Sequence, residues 1–92
     1  MKDYIKTECI IIEQLLVQKN KSYGNSVSDP IGIFSKLGNV EQINVRIDDK
    51  INRLKHGQVY GNEDTELDLI GYLILKRCVK RRNEDMANDQ KF

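Results

Sequence analysis

Apolar residues repeat at helical spacing in three separate segments of this chain. In the first segment, roughly residues 3–20, they recur every three or four positions and form a broad stripe, which predicts an amphipathic helix. The stripe consists of Ile5, Cys9, Ile11, Ile12, Leu15 and Leu16. Since no partner strand is evident elsewhere in the chain, the run of isoleucines in this segment is interpreted as helical.

The second segment begins at Asn39, which with Gln42 resembles the capping box at the start of a helix. Its apolar stripe consists of Val40, Ile43, Ile47, Ile51 and Leu54. Gly57 is a natural terminator for this helix. His56, the only histidine, falls in the last turn of this helix, where a positive charge interacts favourably with the helix dipole.

The third segment follows Asn62, a residue type that favours the N-cap position, and runs from about residue 63 to the low eighties. Its stripe is formed by Leu67, Ile70, Ile74 and Cys78, thickened by Leu69, Leu73 and Val79. No alternating strand pattern occurs. The sequence therefore predicts an all-α fold, a small bundle of three main helices in a single domain over residues 1–83, with a polar, frayed tail over 84–92.

The stretch between the first two helices, residues 21–39, holds three of the six glycines and the only proline. Such a composition breaks helices. Its apolar residues Ile31, Ile33, Phe34 and Leu37 predict an ordered loop that packs on the bundle.

The composition of the chain restricts the classes of protein to which it can belong. With 92 residues, of which 39% are hydrophobic, the core is thin, and we expect a homo-oligomer that buries further apolar surface. The net charge of +1 gives no global field for nucleic acid. No apolar run is long enough to span a membrane and no signal-peptide pattern occurs, so we expect a cytoplasmic protein in which Cys9 and Cys78 are buried thiols.

The third helix carries two acids and a glycine on one strip. Asp64, Asp68 and Gly71 share a face because positions i, i+4 and i+7 coincide on a helix. A glycine inside a helix costs about 1 kcal/mol relative to alanine. Close approach by another helix or by a flat ligand would offset that cost, and a carboxylate such as Asp68 at the margin of a core needs partners.

A strip of the second helix is dense in charge and consists of Arg46, Asp49, Lys50 and Arg53. Carboxylates on two helices suit a magnesium ion that bridges phosphates, and arginine and lysine contact phosphate oxygens directly. The alternative is a solvated face with i,i+4 charge pairs, and an acid in the first turn is also favoured by the helix dipole.

Three stretches together resemble a known family. They are KNKSYGN, IFSKLGNVEQINVRIDDKINRL and EDTELDLIGYLIL, within residues 19–75, and they are similar to the nucleotide-modification-associated family of phages and bacteria. That family stands beside the MazG-like, all-α nucleotide pyrophosphohydrolases. Its pattern is a lysine before Asp-Tyr-Gly, an Arg-x-x-Asp-Lys helix and an Asp-Thr-x-x-Asp-Leu-x-Gly-Tyr helix.

The resemblance marks positions in all three stretches: Lys19, Tyr23, Gly24, Arg46, Asp49, Lys50, Asp64, Thr65, Asp68, Gly71 and Tyr72. In the wider superfamily, paired acidic motifs bind magnesium and a nucleoside triphosphate is hydrolysed to the monophosphate and pyrophosphate. This chain departs from that pattern. The Glu-x-x-Glu motif is absent from the second helix, and Ser22 stands where the closer family often has aspartate.

Two functions follow as hypotheses. In the first, a magnesium-dependent pyrophosphohydrolase, Asp49, Asp64 and Asp68 hold the metal, with Asp49 and Asp68 as catalytic residues. Its substrate-binding residues are Lys19, Tyr23, Arg46, Lys50, Arg53 and Tyr72. In the second, a phage-like protein binds and sequesters a nucleotide signal without cleaving it, which the missing Glu-x-x-Glu favours.

Two further functions rank below these. The basic cluster over residues 76–82 could contact nucleic acid, but it is equally explained by the helix dipole and by solubility. No aromatic residues interleave it, so we rank nucleic acid last as a partner. A plain helical interaction module is the remaining alternative.

Overall fold

A computed structural model of the chain describes residues 1–22, 38–57, 61 and 63–89, with side chains in the first range up to residue 20. It contains α1 (Lys2–Ser22), α2 (Asn39–His56) and α3 (Thr65–Asp89). Every regular element in the described ranges is a helix, which confirms the all-α prediction. None of these helices combines the length and the apolar character that crossing a membrane requires. The greater part of the predicted loop, residues 23–37, lies outside the described residues, and so does Tyr23 within it.

The start of α2 differs from the predicted capping box. Gly38 is the N-cap, and it makes no side-chain cap hydrogen bond. Asn39 is already helical, and its Oδ1 accepts a hydrogen bond from the Val40 amide at 2.8 Å. Asn39 therefore provides a hydrogen-bond acceptor for the amide of the next residue from a position inside the first helical turn. The end of α2 is as predicted, since Gly57 adopts a left-handed conformation with φ of 63°, which suits glycine.

The start of α3 is fixed by Asp64, two residues beyond the predicted N-cap position. The Leu67 amide donates to Asp64 Oδ1 at 2.9 Å, which is the N-cap to N3 bond of a capped helix. Thr65 is consequently the first helical residue. The helix dipole is one explanation for an acid at Asp64, and the structure adds a specific contact to it, the hydrogen bond that caps α3.

The end of α3 lies further along the chain than the low eighties, because the helix continues to Asp89. Residues 80–89 contain no glycine or proline. Lys80 with Glu84, and Arg81 with Asp85, are opposite charges at i,i+4 spacing, which stabilises a helix. This polar segment is therefore an exposed continuation of α3.

The core lies between α2 and α3. Ile43 is 1% exposed, and it clusters with the buried side chains of Ile47 and Val79. Leu69 and Tyr72 of α3 pack against this cluster. The stripe predicted for α2 is confirmed at these two isoleucines, whereas Ile51 and Leu54 further along the stripe are exposed.

The face predicted as the core of α3 is right only at Leu69 and Val79, which were predicted to thicken the stripe and which lie in or against the core. Ile70, Ile74 and Cys78 are exposed, because α2 packs on the side that carries Tyr72 and Val79. Residues 67–75 are apolar around most of the helix. Periodicity therefore cannot choose between two faces that are both hydrophobic.

The apolar face of α1 is also largely exposed. Ile5 is 57% exposed, and Cys9 is exposed like Cys78, so the prediction of two buried thiols is wrong. Only Ile12 is buried among the described residues of α1, while Leu15 and Leu16 are partly buried. The helix contacts α3 near its C-terminal turns and leaves its N-terminal half uncovered.

Gly71 marks the contact between α1 and α3. The residue is buried, and a Cβ atom added to it would lie 3.1 Å from Cδ2 of Leu16. Of the two explanations offered for this glycine, the structure shows close approach by another helix.

Candidate functional site

Three basic residues of α2 lie on one strip that faces the start of α3. Arg46, Lys50 and Arg53 are spaced i, i+4 and i+7, so they point to the same side of the helix. Only residues 57–64 separate the two helices, so the last turns of α2 face the first residues around α3. Lys50 and Arg53 meet the carboxylate of Glu63 there.

The ion pairs around Lys50 connect α2 to the start of α3. Its Nζ pairs with Glu63 Oε1 and donates to Asp68 Oδ2 at 3.2 Å. Arg53 Nη1 donates to the same Glu63 oxygen at 2.5 Å. The side chain of Lys50 is only 12% exposed, so these are well-shielded contacts, and shielding makes them stronger than surface pairs.

Asp68 links all three helices. It accepts the hydrogen bond from Lys50, and its second oxygen lies 3.6 Å from Nζ of Lys19 on α1. Its own side chain is 19% exposed, whereas that of Lys19 is half exposed. The partners expected for a carboxylate at the core margin are therefore two lysines.

The charges of Lys50 and Glu63 are held by one another. Burial lowers the pKa of Lys50, but hydrogen bonds and attraction from Glu63 and Asp68 outweigh it, so the pKa lies above its ordinary value. The hydrogen bond from Lys50 lowers the pKa of Glu63 despite the opposing effect of burial. Both groups are consequently charged throughout the neutral pH range.

Glu63 is the member of this group that sequence reasoning missed. It precedes α3 and so belongs to no helical strip, yet it bonds to two cations of α2. The hydroxyl of the buried Thr65 also lies 3.5 Å from its Oε2. The short connection between α2 and α3 is the signal that could have indicated it, since such a hairpin brings Glu63 opposite Lys50 and Arg53.

Arg46 and Tyr72 extend the strip toward the N-terminal half of α2. The guanidinium carbon lies 5.9 Å from the centre of the tyrosine ring, within the range of a cation–π contact. Arg46 Nη1 also donates to the tyrosine hydroxyl at 3.4 Å. Arg46 is exposed, while the ring is partly buried against the core.

The three acids predicted to hold magnesium do not come together as a ligand set. Asp64 caps α3, Asp68 is bonded to lysines, and Asp49 is exposed on α2. Among residues 1–20, 38–57, 61 and 63–89, no group of three or more His, Cys, Asp or Glu side chains could hold a metal ion. As arranged here, these residues do not fit a magnesium site.

The basic cluster over residues 76–82 lies elsewhere, on α3. Three of its arginines line an open cleft of about 480 Å³. The lining residues are Ile74, Arg77, Cys78, Arg81, Arg82 and Asp85. We call this surface the α3 cleft.

We call the other group the basic site. It is formed by Lys19, Arg46, Lys50 and Arg53 together with Glu63, Asp68 and Tyr72. Comparison of the chain with protein-family models, curated proteins and solved structures finds no match. Function is therefore inferred from the chemistry of the basic site: four cations and an aromatic ring around two carboxylates.

Proposed function

We propose that the basic site binds the phosphate groups of a nucleotide in the cytoplasm, and that the chain holds the nucleotide without cleaving it. The observation that carries this proposal is the convergence of cations from α1 and α2 on two carboxylates. Four positive charges stand beside three negative ones, Glu63, Asp68 and the exposed Asp49 on the same strip of α2, so the site keeps a positive excess of one charge, which attracts phosphate oxygens. Lysine and arginine are the side chains best suited to such contacts.

The exposure of the cations supports the same proposal. Lys19 is half exposed and Arg53 about a third exposed, and Arg46 is exposed as well. Each can therefore reach a ligand from solvent. Lys50, which is nearly buried, positions the carboxylates and keeps the cations together.

The Arg46–Tyr72 pair supports a nucleotide over a simple phosphate. A guanidinium beside a tyrosine ring forms a flat surface, and nucleobases stack on both arginine and aromatic side chains. Tyr72 lies one helical turn beyond Asp68, so the base and the phosphates would occupy neighbouring parts of the site.

Binding without cleavage is favoured by the positions of the acids. A catalytic magnesium ion needs free carboxylate oxygens, whereas Asp68 is neutralised by Lys50 and Lys19 and Asp64 caps a helix. Magnesium-dependent pyrophosphohydrolysis, the activity implied by the resemblance, stays a prediction. Sequestration of a nucleotide signal agrees better with the contacts of these acids.

Calorimetry tests the binding proposal. Mono-, tri- and cyclic nucleotides are titrated into the protein with magnesium and, separately, with a chelator, and we expect binding that the chelator does not change. Arg46→Gln should weaken binding by about tenfold or more, because a hydrogen bond to a charged group contributes about 1.5–3 kcal/mol. Lys55→Gln, an equal change of charge on an exposed part of α2, should leave affinity unchanged.

Two results would overturn this proposal. One is the absence of heat with every nucleotide at low salt. The other is an equal loss of affinity in both variants, which would mean that only overall charge matters.

Turnover is measured separately with the same nucleotides and magnesium. Release of pyrophosphate by the wild-type protein that is lost in Asp68→Asn would establish cleavage instead. Equal background rates in both proteins agree with a binding protein.

We also propose that the chain acts as a homo-oligomer. Its accessible surface is 7646 Å², whereas a compact monomer of this mass exposes about 5,500 Å². Its radius of gyration is 15.2 Å, against about 12 Å for a compact domain of this length. Large apolar side chains, among them Tyr4, Ile5 and Val17, are exposed in one chain, and a second copy would cover such side chains.

A further inference from the structure

The N-terminal half of α1 is a helix without covering contacts. Residues 1–11 are all exposed. Among them are the large apolar side chains of Tyr4 at 74%, Ile5 at 57% and Ile11 at 41% exposure. A helical segment of this length is marginal in water on its own, so a covering surface would stabilise it.

The α3 cleft begins where α1 leaves α3. Ile74 lies one turn beyond Gly71, the point at which Leu16 contacts α3. Ile74 and Cys78 form the apolar part of the cleft, and Arg77 and Arg81 are exposed beside them. The cleft is therefore an amphipathic surface of about the length of the uncovered part of α1.

We propose that these two surfaces bind each other between two copies of the chain, so that the N-terminal half of α1 in each copy lies in the α3 cleft of the other. This inference rests on the proposed homo-oligomer and specifies its contact. Because every copy carries both surfaces, the exchange is reciprocal and closes with two-fold symmetry.

Charge complementarity supports this pairing. Glu8 lies one turn from Tyr4, Ile5, Ile11 and Ile12, so it is an acid in the middle of the apolar face of α1. The α3 cleft carries three arginines and one acid, Asp85, beside its apolar floor, so its charge is positive overall. Glu8 would meet these arginines as the apolar side chains dock, and Arg–carboxylate hydrogen bonds are charge-assisted and often bidentate, which adds geometric specificity.

The available area is sufficient. The surface of one chain exceeds that of a compact monomer of its mass by roughly 2,100 Å², the difference between 7646 Å² and the expected value of about 5,500 Å². A stable interface buries about 800 Å² from each partner. A reciprocal contact of two α1 segments therefore needs less than half of the excess.

The two cysteines of the chain provide the test, since Cys9 lies on the stripe of α1 and Cys78 in the α3 cleft, and both are exposed. Cys9→Ser retains only the cleft thiol, and Cys78→Ser retains only the α1 thiol. Each variant alone, and the two after co-expression, are treated with a short bis-maleimide and separated on a denaturing gel. Light scattering gives the mass of the untreated proteins.

We expect a mass of at least two chains, with a cross-linked dimer in the co-expressed mixture and none in either variant alone. A mass of one chain would overturn both this inference and the homo-oligomer. An oligomer that cross-links in a single variant, or not in the mixture, would overturn only the α1–cleft pairing. A wild-type cross-link confined within one chain would show that α1 closes over its own cleft, which also overturns it.

Discussion

The α2–α3 pair and α1 use their apolar residues differently. In the pair, Ile43 and Val79 are enclosed within one chain, and ion pairs of Lys50 join the helices at the edge of this core. In α1, most of the apolar face is exposed, and the helix meets α3 at Leu16 beside Gly71 and at Lys19 beside Asp68. The comparison shows that helical periodicity produces a helix, whereas burial depends on which second surface is within reach.

Among the changes that test this comparison, truncation of Ile43 should have the largest effect on the free energy of unfolding. Ile43→Ala removes the most buried side chain of the core and should lower the free energy of unfolding by about 3 kcal/mol. Ile5→Ala on α1 should change it by less than about 0.5 kcal/mol in dilute protein. Urea denaturation followed by circular dichroism measures both.

Val45→Ala is the matched control on α2, because Val45 is half exposed. Equal losses for the Ile43 and Ile5 variants would mean that α1 belongs to the same cooperative core.

The ion pairs should make the α2–α3 pair sensitive to pH, with an effect smaller than that of Ile43→Ala. Because the pKa of Glu63 is lowered in the folded state, its contribution to stability is present above the ordinary glutamate pKa. It is lost as pH falls through the lowered value. The pKa of Lys50 is raised, so its contribution is present below the ordinary lysine pKa and is lost as pH rises through the raised one.

Denaturation midpoints across the pH range test this. Glu63→Gln should flatten the acid limb, while Glu13→Gln at an exposed position of α1 should leave it intact. A profile that is identical in all three proteins would remove the role assigned to Glu63.

Loss of the helix cap should affect α3 by a smaller amount. Asp64→Ala removes the acceptor of the Leu67 amide and should cost about 1 kcal/mol. Asp64→Asn keeps an acceptor and serves as the control. If both variants lose nucleotide affinity at unchanged stability, Asp64 contacts the ligand and is more than a cap.

The smallest effect is expected at the contact between the two regions. Gly71→Ala gains helix propensity of about 1 kcal/mol, but its Cβ must displace the tip of Leu16, so the net gain should be below that value. In a Leu16→Ala background the full gain should appear. Equal effects in both backgrounds would show that α1 does not press on Gly71.

The fold was predictable to the extent that each helix has one apolar face. The end of α2 at Gly57 and the burial of Ile43 and Ile47 follow from the sequence pattern. On α3 the prediction centred the stripe on Ile70 and Ile74, which are exposed, whereas the structure buries Val79 from the predicted edge of the stripe and packs Tyr72 against the core. Both faces are hydrophobic, and the choice depends on the path of the chain between helices, which periodicity does not encode.

The candidate site was predictable where residues share a helical strip. The sequence placed Arg46, Lys50 and Asp68 in one site, and the structure brings Lys50 to Asp68 and Arg46 to Tyr72. Glu63 could not be found from a strip, because it lies just outside α3. The position of Tyr23 lies outside the described residues, so its assignment stays a prediction.

The anchoring of Glu63 to Lys50 and Arg53 has a practical consequence for protein engineering. Gly57 ends α2 on one side, and these ion pairs hold the chain on the other side, so both ends of residues 58–62 are fixed independently of the linker itself. Lengthening a fixed-end linker costs little entropy for each added residue. A short peptide tag inserted there should leave the pairing of the two helices unaltered.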